Sequence, residues 1–181
     1  MTAGSARRPR LVALAGLPGT GKSTLAHALS ELTGAPILDK DRVREALFGP
    51  RHVSHTRSQD DFVVRVLLQA AECLFASGAV PLVLLDGRTF TRRAAVDEVR
   101  AWARERGVEL CFVETICSPE TARARLEQDA SAARHPARDR GPALYERLAP
   151  EAEPLEVPAL RLETEGDPAR VLAERALAWL G

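Results

Sequence analysis

Net charge is what this sequence most plainly lacks: 25 Lys and Arg residues stand against 25 Asp and Glu residues in a chain of 181. A balanced surface offers no general attraction to nucleic acid or to an anionic membrane, although it is compatible with a local basic groove. Aromatic residues are scarce, at 4%, which argues against the stacking platforms of single-strand binders. No apolar run approaches the roughly 20 residues of a membrane span. The basic opening MTAGSARRPR leads into a run of only strand length, too short for the apolar region of a secretory signal. Three cysteines, Cys73, Cys111 and Cys117, make no CxxC pair and no even set. Buried free thiols in a reducing, cytoplasmic setting are expected. Four scattered histidines lack the spacing against cysteine that a zinc site requires.

What is present is an ordinary soluble composition, 45% apolar and 28% charged, arranged as alternating strand and helix periods. RLVALA (10–15), PILD, VPLVLLDG, VELCFVET and PALRLET read as strands. Helices are expected over GKSTLAHALSELTG, closed by Gly34, and over DRVREALFG, stopped by Gly49 and Pro50. A third helix, from Asp60 to Ser77, carries Phe62, Val63, Val66, Leu67, Ala70, Cys73 and Leu74 on its apolar stripe. Others run from about Arg92 to Arg106, from Ser118-Pro119, through ALYERL, and over DPARVLAERALAWL. Five apolar strands separated by helices imply an α/β fold with a parallel sheet covered on both faces. With no internal repeat and no linker, residues 10–181 read as one domain behind a basic tail, 1–9.

Between the first strand and first helix lies GLPGTGKS, which satisfies G-x-x-x-x-G-K-[ST] over Gly16, Leu17, Pro18, Gly19, Thr20, Gly21, Lys22 and Ser23, with Thr24 following. Glycines let successive N–H groups turn toward a phosphate without Cβ obstruction. The helix that begins there directs its positive end at the same anion. Lys22 is placed to bridge β- and γ-phosphate oxygens, and the Ser23 hydroxyl to hold Mg²⁺. A strand before the loop and an amphipathic helix after it support a nucleotide site over a chance turn.

Hydrolytic machines need a group that orients water, often a glutamate beside the magnesium-binding aspartate at a strand end. Here Asp86 is followed by Gly87, and no N-K-x-D guanine signature occurs. Both features favour phosphoryl transfer. Transfer to a hydroxyl needs a carboxylate near the γ-phosphate. LDKDRVR offers Asp39 at the end of the second strand and Asp41 at the start of the next helix, at the sheet edge where such folds bind ligands. Asp41 is the expected base and also a plausible helix N-cap. Asp39 is better suited to a magnesium-bound water or to Lys40.

On these motifs the chain resembles the small P-loop kinases that include the kinase domain of polynucleotide kinase, adenylylsulfate kinases, chloramphenicol phosphotransferase and the zeta toxins. LDKDRVREALFG is similar to the segment that carries that group's base and a substrate-facing arginine, which maps to Arg44. The resemblance implies a three-layer P-loop NTP hydrolase fold, a five-stranded sheet in the order 2-3-1-4-5, and a helical lid at roughly 125–142. It implies a closing role over the γ-phosphate for Arg125, among a set that includes Arg123, Arg134, Arg138 and Arg140, with Arg138 also a substrate candidate. Asp86 is expected at a metal-bound water or the acceptor hydroxyl. Arg88 is expected at an anionic or carbonyl group of the acceptor, or in a turn paired to Asp86. RHVSHTRS, with His52 and His55, is the expected acceptor cap, and ETEGDP the adenine-side loop.

The expected function is therefore an ATP- and Mg²⁺-dependent kinase acting on a hydroxyl of a small molecule, with no membrane partner. The alternatives within the class are a nucleic-acid 5′-hydroxyl kinase, disfavoured by charge and aromatic content, and an adenylylsulfate kinase, from which GRTFTRR departs. A regulatory ATP-binding module with slow hydrolysis is the alternative of another class.

Overall fold

The computed structural model describes residues 8–54, 56–131 and 141–181. Five parallel strands, β1 (Arg10–Ala15), β2 (Ile37–Asp39), β3 (Leu82–Asp86), β4 (Glu109–Ile116) and β5 (Ala159–Glu163), lie in the spatial order β2-β3-β1-β4-β5. That is the 2-3-1-4-5 order implied by the resemblance. Seven helices connect the described strands and follow the last: α1 (Lys22–Thr33), α2 (Lys40–Phe48), α3 (Arg57–Ala76), α4 (Arg93–Arg106), α5 (Pro119–Ser131), α6 (Pro142–Leu148) and α7 (Ala169–Leu180). None is long and apolar enough to cross a membrane.

Strand period dictates the layering. On central β1, Leu11, Ala13 and Ala15 enter the core beneath α3 and α4, with Val63, Leu67, Val99 and Trp102. Val12 and Leu14 alternate to the other face and join Leu25 and Leu29 of α1 and Leu172 and Ala176 of α7. Both faces of the sheet are thus covered, which is why its strands are continuously apolar rather than alternating with polar residues. A small third cluster, Ala122, Leu126 and Tyr145, joins α5 to α6.

Two expectations are corrected. The stripe of α3 is rotated: Val63, Val64, Leu67, Leu68 and Ala71 are buried, whereas Phe62 and Cys73 are exposed. This helix is apolar over more than one face, so a stripe started at Phe62 instead of Val63 fits the letters nearly as well. Cys73 accordingly is an exposed free thiol, and Cys111 and Cys117 are half-buried free thiols. Burial raises the pKa of Cys111 and Cys117, which leaves both poorly nucleophilic.

The carboxyl ends of all five strands point the same way, so the loops after β1, β2, β3 and β5 converge on one edge. Register makes this concrete, since Asp39 of β2 pairs across with Asp86 of β3. Gly16, just beyond β1, donates its N–H to the Thr89 carbonyl in the loop after β3 at 3.0 Å.

Candidate active site

The loop from Gly16 to Gly21 is built on three left-handed or otherwise glycine-favouring residues, Gly16 (φ 130°), Gly19 (φ 79°) and Gly21 (φ 94°). Space as well as φ demands glycine at two of them. A Cβ on Gly16 would collide with the Thr115 carbonyl, and one on Gly19 would lie 2.5 Å from the Ala122 carbonyl. Thr20 Oγ1 donates to the Leu17 carbonyl at 2.8 Å and sits 2.8 Å from Thr115 Oγ1, tying the loop to β4. Lys22, the first residue of α1, is buried, and its Nζ donates to the Gly16 and Leu17 carbonyls at 2.8 and 2.7 Å. The ammonium therefore lies across the loop, beside the amides of the helix N-terminus. Ser23 is half-buried and Thr24 exposed beside it.

A cavity of about 340 Å³ opens on the outer side of this loop, lined by Gly21, Lys22, Ser23, Arg125, Thr164 and Asp167 among others. Thr164 and Asp167 come from ETEGDP, the segment expected beside adenine. Arg125 of α5 donates to Thr164 Oγ1 at 2.9 Å and to the Thr164 carbonyl at 2.7 Å, and reaches the Gly19 carbonyl at 3.4 Å. In this structure it clamps the glycine loop to the β5 end. Glu165 fixes the start of α5 by accepting from the Ser118 amide and hydroxyl at 3.2 and 2.6 Å; these bonds hold its pKa below the usual value. His55, Arg134, Arg138 and Arg140, and with the arginines half of the expected lid, lie outside the described residues. His52 is exposed.

On the opposite side of Pro18 is a second cavity of about 210 Å³. Asp41, Asp60, Lys40 and Thr89 are among the residues that line it. Its position places Asp41 and the glycine loop on the walls of one space. The helix cap, however, belongs to Asp39, which accepts from the amides of Asp41 and Arg42 at 2.8 and 3.2 Å. This corrects the expectation that Asp41 caps α2: the helix starts one residue earlier, at Lys40, and Asp41 falls in its first turn.

Buried charge surrounds Asp41. Arg44, only 1% exposed, donates to Asp41 Oδ1 at 2.9 Å and also pairs with Asp60 of α3. Lys40 Nζ reaches the same Asp60 carboxylate at 3.3 Å. Asp60 was not among the residues singled out from sequence. It is brought to the site by helix packing, α2 against α3, and no local motif marks it. The same contact explains why Arg44 is not among the residues lining the cavity: its guanidinium is held beneath the floor by two carboxylates.

Asp86 is 1% exposed, and its Oδ1 has no hydrogen-bond partner among the described residues. Its neighbour Asp39 has a raised pKa, first because burial disfavours its charge and further because Asp86 and Asp41 repel it, against the lowering effect of the two amides it accepts from. Arg88 does not relieve this pair. It bonds Glu98 of α4 at 2.8 Å, lies 3.7 Å from Asp61, and stacks over Phe90 at 5.7 Å. The expected turn pairing of Arg88 with Asp86 is therefore corrected: Glu98 projects from the helix that follows and reaches the guanidinium. Phe90 has φ 54°, an uncommon value for a non-glycine residue. Its ring packs edge-on against Phe112 at 5.3 Å, which holds that backbone turn in place.

The glycine cradle at a helix start and the carboxylates at the neighbouring strand ends lie within a stretch that a family model matches. The model for the AAA domain covers residues 11–154. The chain belongs to the AAA domain family. Over an alignment of 105 positions, which takes in 49% of this chain and 21% of the relative, it is 34% identical to an uncharacterized protein of Mycobacterium tuberculosis (strain ATCC 25618 / H37Rv). An uncharacterized protein of Mycobacterium bovis matches to the same extent. This AAA domain chain thus spans about a fifth of the length of the curated relatives it matches.

Solved structures share the whole architecture. The Mycobacterium tuberculosis APS kinase in complex with AMPPNP and APS superposes with a TM-score of 0.71 at 18% identity, over 96% of this chain and 98% of that one. A gluconokinase from Sinorhizobium meliloti 1021 gives 0.67 at 18% identity, over 96% and 93%. The Deinococcus radiodurans tunicamycin resistance protein gives 0.66 at 20% identity, over 96% of each chain. At such identities the likeness is one of fold.

Proposed function

We propose that the protein is a kinase that transfers the γ-phosphoryl group of ATP to a hydroxyl of a small molecule. The observation that carries this reading is a single cavity bounded by Pro18 of the glycine loop on one side and by Asp41 on another. A carboxylate across from a phosphate cradle is what transfer to an alcohol needs and what simple nucleotide binding does not.

In this reading, the backbone N–H groups of residues 19–24 and the Lys22 ammonium hold the triphosphate, and the cavity beside Arg125 and Thr164 takes the base and ribose. Asp41 accepts the proton of the acceptor hydroxyl as its oxygen forms a bond to the γ-phosphorus. The bond from that phosphorus to the β,γ-bridging oxygen breaks, and its electron pair leaves with ADP. Arg44, pinned between Asp41 and Asp60, is a positioning residue that fixes the carboxylate on its helix. Arg125 orients the loop through Gly19 and shields the transferring charge.

Magnesium fits the carboxylates at the strand ends. A buried oxygen of Asp86 without a hydrogen-bond partner, beside an Asp39 whose charge is disfavoured, is the environment that a hydrated cation stabilises. The Ser23 hydroxyl would hold it directly, and Asp39 or Asp86 through a bound water. When present it neutralises charge on the β- and γ-phosphoryl oxygens.

The test is Asp41→Asn. ATP affinity should stay within about twofold while transfer falls by about 10²-fold or more, the range for loss of a general base. Equal transfer by the variant would contradict the assignment of Asp41.

A further inference from the structure

The acceptor side of the site carries more information than its base. The 210 Å³ cavity is smaller than the about 300 Å³ at which pockets for drug-sized ligands begin. Two of its carboxylates are already paired: Asp41 is bonded to Arg44, and Asp60 to both Arg44 and Lys40. Two of its guanidinium groups are not. Arg92, at the residue preceding α4, and Arg147, in the last turn of α6, both line the cavity and both are exposed. Neither has an ion-pair partner among the described residues, whereas Arg88 and Arg93 close by are each tied to a carboxylate. Glu151 lines the same cavity without bonding to either guanidinium. The hydroxyls of Thr89 and Thr91, 3.0 Å apart, line it as well.

From these two unpaired guanidinium groups in one cavity we infer that Arg92 and Arg147 form a subsite for an oxyanion on the acceptor. The alcohol phosphorylated is thus a small hydroxylated carboxylate or phosphate ester rather than a neutral polyol. Guanidinium groups suit this task because their planar forks donate two parallel hydrogen bonds to such anions. They arrive from separate elements, so the subsite forms only when α6 docks beside the loop after β3. Anchoring the anion on these two groups would leave a hydroxyl on the same molecule to meet Asp41, which lines the same cavity. The inference rests on the phosphotransfer function proposed above.

The experiment separates the two. The protein is loaded with AMPPNP and magnesium, and binding is followed by calorimetry. Absence of nucleotide binding overturns the proposed function, and the subsite with it. Inorganic phosphate is then titrated into the loaded protein, whose glycine loop is already filled. Saturable binding is expected, weakened about tenfold by Arg92→Ala or Arg147→Ala, as befits loss of a charge-assisted bond. Arg170→Ala, at an exposed pair with Glu174 on α7, should leave it unchanged. No phosphate binding, or equal binding in both alanine variants, overturns the subsite while leaving the kinase reading intact. A comparison of glycerol, glycerate and glycerol 3-phosphate as acceptors adds a second readout. Preferential phosphorylation of glycerol would likewise overturn the inference and keep the function.

Discussion

At the scale of single residues, the site depends on charges that cannot be moved independently. Asp60 is shared by Arg44 and Lys40, and Arg44 in turn holds Asp41. Asp60→Asn should therefore reduce kcat about tenfold with the KM for ATP unchanged. It should also lower the stability of the fold by about 2 kcal/mol, because a buried guanidinium loses one of its carboxylates. Steady-state kinetics and chemical unfolding check the two halves separately; a change in neither would show that Arg44 needs only Asp41. Residues contiguous in the chain were legible beforehand, as GLPGTGKS and LDKDRVR illustrate. Asp60 and Glu98 were not, because their partners Arg44 and Arg88 are reached through packing of separate helices, and packing leaves no mark in the spacing of letters.

Helix starts and strand ends make the next level. Asp39 closes β2, caps α2 and faces Asp86 across the sheet. Its raised pKa means that the folded protein binds a proton there more readily than the unfolded chain does. Stability from this group is thus complete below about pH 4, the unfolded value, and declines as pH rises through the folded value. Asparagine caps a helix as well as aspartate does and carries no charge. Asp39→Asn should raise Tm at pH 7 in metal-free buffer, with the gain shrinking toward zero near pH 4. A gain that is independent of pH would argue against the charge as its cause. Element boundaries followed from Gly34 and Gly49, which end α1 and α2. The rotation of α3 did not, since Val63, Val64, Leu67, Leu68 and Ala71 compete with an equally apolar set that includes Phe62 and Cys73.

For the molecule as a whole, alternation of strand and helix predicted a parallel sheet with two covered faces, and β1 delivers Leu11 and Leu14 to those opposite faces. Strand order came from resemblance rather than periodicity, because no local pattern states which strand lies beside which. The architecture then does one thing for function: it gathers the glycine loop, Asp39, Asp41 and Asp86 at a single edge from segments well separated in sequence. The central claim is that this edge passes a phosphoryl group to an alcohol. It is tested most directly by the fate of γ-labelled ATP incubated with the protein, magnesium and a pool of small metabolites. We predict label in an organic phosphate ester, formed by wild type and not by Asp41→Asn. Label released only as inorganic phosphate, at equal rates in both proteins, would contradict it.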